Sequence, residues 1–189
     1  GQGHGTVLSQ IVADQLGLRP DEIRVNVEHD THKDPWSIAA GTYSCRFSPG
    51  TAVAAQLAGK KVRDKLARIS AQLLNIPADQ VEFGGGQIFD RENHDNTLSF
   101  RRVAGGTHWS PGLLPDGMDP ALRETATWAP QQLTTPDEQD RVNTSLTYGF
   151  VFDFCGIEID PDTAEIRIDK YVTMHDAGTL MNPMIVEGQ

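Results

Sequence analysis

The feature that most restricts the fold is a pattern that occurs twice, each time at the end of an amphipathic helix. Leu16-Gly17-Leu18-Arg19-Pro20-Asp21-Glu22-Ile23-Arg24-Val25 can be laid over Leu74-Asn75-Ile76-Pro77-Ala78-Asp79-Gln80-Val81-Glu82-Phe83. Each copy has an apolar residue, a Gly or Asn suited to a left-handed helix stop, a nearby proline and an acidic residue. Each then begins an apolar–polar alternation. The repetition predicts two helix–strand units packed with similar geometry. Two copies are too few for a solenoid.

The helices themselves are read from their 3.6-residue period. Val7, Leu8, Ile11, Val12 and Leu16 mark the first. Ala55, Ala58, Val62, Leu66, Ile69 and Leu73 form one stripe on a longer second helix, with Ser48 and Thr51 as candidate caps and Pro49 suited to the first turn. That helix also carries Lys60, Lys61, Arg63, Lys65 and Arg68, a basic outer face that reads either as solvated surface or as a docking surface for another subunit. Ile23, Val25 and Val27 alternate as a strand.

Strand signals dominate further on. Phe83-Gly84-Gly85-Gly86-Gln87-Ile88 reads as strand–turn–strand, Arg91 to Asn96 as a polar loop, and Leu98 with Phe100 as a short strand leading into a helical turn by Val103. Gly105 to Asp140 is rich in Gly, Pro, Asp and Thr and too long for an ordinary connection. It is expected to wrap a surface, anchored by Trp109, Leu114 and Trp128. A late hairpin sets Phe150, Phe152 and Phe154 against Val151, Asp153 and Cys155, turns at Pro161-Asp162-Thr163, and returns through Ile166, Ile168 and Val172 with Tyr171 out of step. The expected class is α+β: two helix–strand units plus a C-terminal antiparallel hairpin, in stretches 1–104, 105–140 and 141–189.

The totals exclude some functions. A net charge of −10 and a pI near 4.9 are opposed to a nucleic-acid footprint, which needs a basic face. No run has the apolar length of a membrane span. Cys45 and Cys155 have no metal or disulfide spacing, so both are expected to be small buried residues in a reducing, cytoplasmic setting. His29-Asp30-Thr31-His32 lacks a third ligand at a usual spacing and reads as a polar loop. No G-x-S-x-G or C-x-x-C is present.

Two small-residue loops carry the chemistry. Gly1-Gln2-Gly3-His4-Gly5-Thr6 precedes the first helix, and Ala39-Ala40-Gly41-Thr42-Tyr43-Ser44-Cys45-Arg46 precedes the second. Glycines let backbone N–H groups turn toward an anion, and a helix N-terminus adds a favourable field. The spacing is neither that of a P-loop nor that of a dinucleotide fingerprint. Two such loops together suggest a phosphate-rich ligand held between them. A third motif closes the chain: His175-Asp176-Ala177-Gly178, then Asn182-Pro183 and Glu187-Gly188-Gln189. Motifs at both ends suggest a piece of a larger protein, cut through a binding site.

These three motifs, in this order, resemble the large, molybdopterin-binding subunit of the molybdenum hydroxylases, the family of xanthine dehydrogenase, aldehyde oxidase and carbon monoxide dehydrogenase. The bacterial three-subunit branch is the nearest in pattern. The resemblance implies an α+β part of a larger molybdenum-cofactor-binding domain. It implies molybdopterin cytosine dinucleotide with molybdenum as cofactor, contacted by Gln2, by the amides of Gly3 and His4, by Thr42, Tyr43 and Ser44, and by Gln189. Asn182 and Pro183 would shape the last turn. The pterin dithiolene holds the metal in this family, so no protein metal ligand is expected. The family's catalytic glutamate follows the Glu-Gly-Gln motif, so no catalytic residue is expected here and the piece alone would be inactive. Phe83-Gly84-Gly85 has the letters of a family loop that lies upstream of Gly-Gln-Gly, but its order in the chain is wrong, and it reads as a hairpin turn. The implied reaction hydroxylates an aldehyde or an aromatic or N-heterocyclic carbon, with oxygen from water. The implied partners are the rest of the large subunit, iron–sulfur and FAD subunits and a small-molecule substrate, with no nucleic acid or membrane. The competing reading is a non-catalytic interaction domain that docks other subunits through the basic face, with its loops as ordinary turns.

Overall fold

The computed structural model describes residues 2–26, 28, 30–33 and 45–189. It is α+β, with four α-helices and two small antiparallel sheets among the described residues. The chain divides into two compact units, one built from residues 1–41 and 47–130, the other from 42–46 and 131–189.

In the first unit the duplicated pattern folds as duplicated structure. Helix α1 (His4–Leu16) stops at Gly17 (φ 64) and helix α2 (Val53–Leu74) stops at Asn75 (φ 56). The N–H groups of Gly17 and Leu18 both reach the Ala13 carbonyl, and those of Asn75 and Ile76 both reach the Ala71 carbonyl. These bonds satisfy carbonyls that a helix end leaves free. A 3₁₀ turn follows each stop, Pro20–Glu22 in one copy and Ala78–Gln80 in the other. The copies part at the strand. Val81–Gly84 is paired as β1, whereas residues 23–26 have no ladder partner among the described residues, and Val27 lies outside them. Ile23 and Val25 still alternate half-buried with exposed Arg24 and Asn26, as the sequence predicts.

Strand β1 pairs with β2 (Gln87–Asp90), and β2 with β3 (Thr97–Ser99), all antiparallel. Gly85 (φ 58) and Gly86 (φ 75) make the two-residue turn, whose positive dihedrals match the twist of the strands. Ser99 Oγ accepts the Arg102 N–H and caps helix α3 (Phe100–Trp109). That helix runs through Gly105 and Gly106, so the stretch without regular α or β structure begins later than its composition suggests. Leu66, Ile69, Ala71, Val81, Ile88 and Val103 form the core.

Four expectations about this unit need correction. Ser48 and Thr51 do not cap α2, because a π-helical turn, Phe47–Ala52, leads into it. Leu73 is exposed, since its flank of α2 is left open beside α3. Of the three expected anchors Leu114 does pack on the core, with Met118 and Leu122, whereas Trp109 and Trp128 are exposed. The basic face of α2 is in part internal. Lys61 Nζ donates to the Thr125 carbonyl at 2.7 Å, and Lys65 Nζ to the Ala121 carbonyl at 2.9 Å. Lys65 also pairs with Glu124 at 2.5 Å, and Arg63 donates to the Gln15 carbonyl at 2.9 Å. Lys61, Arg63 and Lys65 therefore serve the chain's own 119–125 segment and α1, while Lys60 and Arg68 are exposed.

The second unit is built around the hairpin of β4 (Phe150–Ile159) and β5 (Ile166–Asp176). Asp160 closes its turn by accepting the N–H groups of Asp162 and Thr163, which hold its carboxyl below the usual range. A bulge between Gly156 and Ile157 leaves Asp169 without a partner. Below it, Phe150, Phe152 and Phe154 share a face with Val172 and Met174. Beyond it, Ile157, Ile159, Ile166 and Ile168 lie on the other face, with Tyr171. The alternation of Ile166 and Ile168 with Val172 is thus broken by the extra residue, and Tyr171 is in step with the isoleucines. Every residue of both strands is exposed. Cys155 is therefore exposed and Cys45 half-buried, contrary to the expectation of two buried thiols. Helix α4 (Pro183–Gly188) follows, capped by Asn182 Oδ1, which accepts the Ile185 N–H at 3.1 Å with Pro183 in the first turn.

Candidate functional site

The first loop is shorter than its sequence suggests, because α1 already begins at His4. Gly3 makes the entry with φ 72 and ψ 12, a conformation that suits glycine. The Gly3 carbonyl accepts the Val7 N–H at 3.0 Å and closes the first turn. The amides of His4, Gly5 and Thr6 precede that bond and so have no partner within the helix. Among the described residues no side chain caps this end, and no acidic residue stands in its first turn. Among the described residues, a Cβ placed on Gly5 would meet nothing within 4 Å, so that flank of the first turn is open. Gln2 is exposed just before them.

The His4 side chain reaches the start of the second helical segment. Its imidazole stacks on the ring of Phe47, centroids 4.2 Å apart and planes within 6°. Phe47 is the first residue of the π-helical turn that leads into α2, and Arg46 immediately precedes it. The N-terminal turns of two helical segments therefore abut, and neither contains a carboxylate. Each such end carries a partial positive charge, so their apposition is unfavourable unless an acceptor lies against them. Gly3 to Thr6 thus fit a phosphate or another acceptor oxygen of a cofactor.

The other sequence-predicted positions fall elsewhere. Thr42, Tyr43 and Ser44 lie outside the described residues. The Cys45 carbonyl, next in the chain, accepts the Thr147 hydroxyl at 3.1 Å within the second unit. Gln189 ends that unit, and its backbone N–H bonds to the carbonyls of Ile185 and Val186, both at 3.2 Å. Phe47 was not singled out from the sequence. Its signal was present: an aromatic residue immediately after the second loop, with a histidine in the first.

Two further places have chemical character. An open groove of about 550 Å³ beside α3 is lined by Leu73, Trp109 and Leu113 with Arg101 and Arg102, and contains no carboxylate, histidine or cysteine. On the hairpin, Asp153 lies diagonally from Tyr171 and its charge pushes the Tyr171 hydroxyl above the usual range. Beside them Thr173 Oγ1 lies 3.0 Å from His175 Nε2. Among the described residues no three His, Cys, Asp or Glu side chains gather as metal ligands, and no helix is long and apolar enough to cross a membrane.

Comparison with known proteins gives consistent matches. The family model described as molybdopterin cofactor-binding domain matches residues 1–189. The carbon monoxide dehydrogenase large chain of Hydrogenophaga pseudoflava is 29% identical over the whole chain, and the large subunit of nicotine 6-hydroxylase from Paenarthrobacter nicotinovorans is 26% identical. In both cases the chain spans 21% of the relative's length. The crystal structure of quinoline 2-oxidoreductase from Pseudomonas putida 86 superposes with a TM-score of 0.79 and 26% identity, covering all of this chain and 22% of that one.

Proposed function

Because this chain belongs to the molybdopterin cofactor-binding domain family, we propose that it holds part of a molybdenum cofactor in the large subunit of a molybdenum-dependent oxidoreductase. The cofactor is molybdopterin cytosine dinucleotide in this reading. When bound, it supplies a metal centre that accepts electrons from a substrate carbon while oxygen from water is added. The substrate is an aldehyde or an aromatic or N-heterocyclic carbon compound, and the electrons leave through iron–sulfur and FAD subunits. The residues here bind and orient. The amides of Gly3, His4, Gly5 and Thr6 donate to acceptor oxygens, and the Gln2 amide can donate or accept. Thr42, Tyr43 and Ser44 add hydroxyls and amides, and Gln189 adds a third point of contact. Neither Cys45 nor Cys155 is in a disulfide, and we assign the protein to the cytoplasm.

The observation that carries this reading is the pair of abutting N-terminal turns, free of carboxylates, with open space at Gly5. The competing reading of an interaction domain relied on the basic face of α2, and Lys61, Arg63 and Lys65 of that face are engaged by the chain itself. The test is to purify the full-length subunit with its partners and to measure molybdenum and the nucleotide released by acid. The expected result is one metal and one CMP per subunit, with both reduced in Gln2→Ala and Gln189→Ala. A folded wild-type protein holding neither would overturn the reading.

A further inference from the structure

We propose that His4 is a positioning residue: its imidazole, stacked on Phe47, clasps the first turn of α1 to the turn that opens α2, so that the N–H donors of His4, Gly5 and Thr6 meet the cofactor in a preassembled cradle. The proposal rests on the cofactor reading above and assigns a part to a side chain that the reading itself uses only for its backbone.

Three observations carry it. The rings are close and nearly parallel, at 4.2 Å and 6°, and both residues are half-buried, so the contact excludes water from their shared faces. The stack joins residues 43 positions apart, each at the first position of its helical segment. It therefore fixes the two N-terminal ends to each other directly rather than through the helix bodies. Finally, it opposes a repulsion. Two positive helix ends held together without a carboxylate in either first turn would tend to separate, and a ring contact is a neutral way to keep them together. A cradle that is already assembled loses less conformational entropy on binding than one formed around the ligand.

The clasp makes a specific demand: a flat ring at position 4, not an imidazole nitrogen. The experiment compares His4→Ala, His4→Phe and Phe47→Leu in the full-length subunit with its partners. It reads molybdenum and released CMP per subunit, together with the unfolding midpoint of the apo form. His4→Ala and Phe47→Leu should lower cofactor occupancy at limiting cofactor by about three- to tenfold, the range of one aromatic pair. His4→Phe should restore occupancy to within about twofold of wild type. Full occupancy in His4→Ala would overturn the clasp. So would a His4→Phe protein that keeps the wild-type unfolding midpoint and is as poorly loaded as His4→Ala, since a nitrogen rather than the ring would then be required. A wild-type protein without metal or nucleotide is a different failure: it removes the cofactor reading and the clasp with it.

Discussion

The backbone of Phe83 passes so close to Gly17 that a Cβ on Gly17 would lie 2.4 Å from the Phe83 carbonyl carbon. The Gly17 carbonyl also accepts the Gly86 N–H at 3.0 Å. The stop of α1 is thus the point where α1 docks on the β1–β2 hairpin. Gly17→Ala should destabilise the first unit by at least about 2 kcal/mol, from left-handed strain and a displaced strand. Denaturant unfolding checks this, and a loss below about 1 kcal/mol would mean that the strand yields easily. Asn75, the equivalent stop of α2 at φ 56, is the matched control. Asn75→Gly should change stability by no more than about 0.5 kcal/mol.

Lys65 anchors the segment that follows α3. Its bond to Glu124 holds the lysine above its ordinary pKa, and the ammonium also reaches the Ala121 carbonyl. Lys65→Met should free this segment, and trypsin should cut after exposed Arg123 several times faster than in wild type. An unchanged rate would show that Leu114, Met118 and Leu122, with the Lys61 bond to Thr125, hold the segment without Lys65. A raised lysine pKa means that the folded form binds its proton more tightly than the unfolded chain. The contribution is complete below the ordinary lysine value of about 10.4 and disappears as pH climbs through the raised value. Wild type should therefore lose more stability than Lys65→Met at strongly alkaline pH and show no such difference near neutrality.

Gly5 separates structural cost from ligand cost. It lies in the first turn of α1 with open space around it, so Gly5→Ala should stabilise the apo chain slightly, by about 0.5 kcal/mol. In the full-length subunit the same methyl group enters the space assigned to the cofactor. Occupancy should fall although the fold is firmer. Unchanged metal content in Gly5→Ala would place the cofactor away from this turn.

The two units should respond differently to the loss of a large apolar side chain. Ile88 is fully buried, and Ile88→Ala should cost about 2–5 kcal/mol. Phe154 is 64% exposed, and Phe154→Ser in the 189-residue chain should change stability by no more than about 0.5 kcal/mol. It should also weaken binding of an apolar fluorescent dye, because it removes part of an exposed patch. A large stability loss from Phe154→Ser would show that the hairpin is already covered in solution.

What could be read from the letters was what depends on local chemistry. Gly17 and Asn75 announce left-handed stops whatever surrounds them, and Gly85-Gly86 can hardly be other than a tight turn. The hairpin strands were visible in their alternation, but the bulge at Asp169 was not. An extra residue is a property of the pairing, and no single strand contains it. The roles of Lys61 and Lys65 were hidden for a similar reason, since their partners lie 64 and 56 positions away and are largely backbone carbonyls. At the candidate site the glycine loop and its helix were legible, with the boundary misplaced by three residues. The His4–Phe47 contact was not legible, because it depends on how α1 and α2 pack.

The bulge at Asp169 also dictates what a partner of the β4–β5 ribbon must look like. A single flat neighbour can dry only half of it, either the phenylalanines near one end or the isoleucines near the other, on the reverse side. Full shielding takes a layer above and a layer below, offset along the strands, so the ribbon has the makings of a middle layer rather than an outer wall.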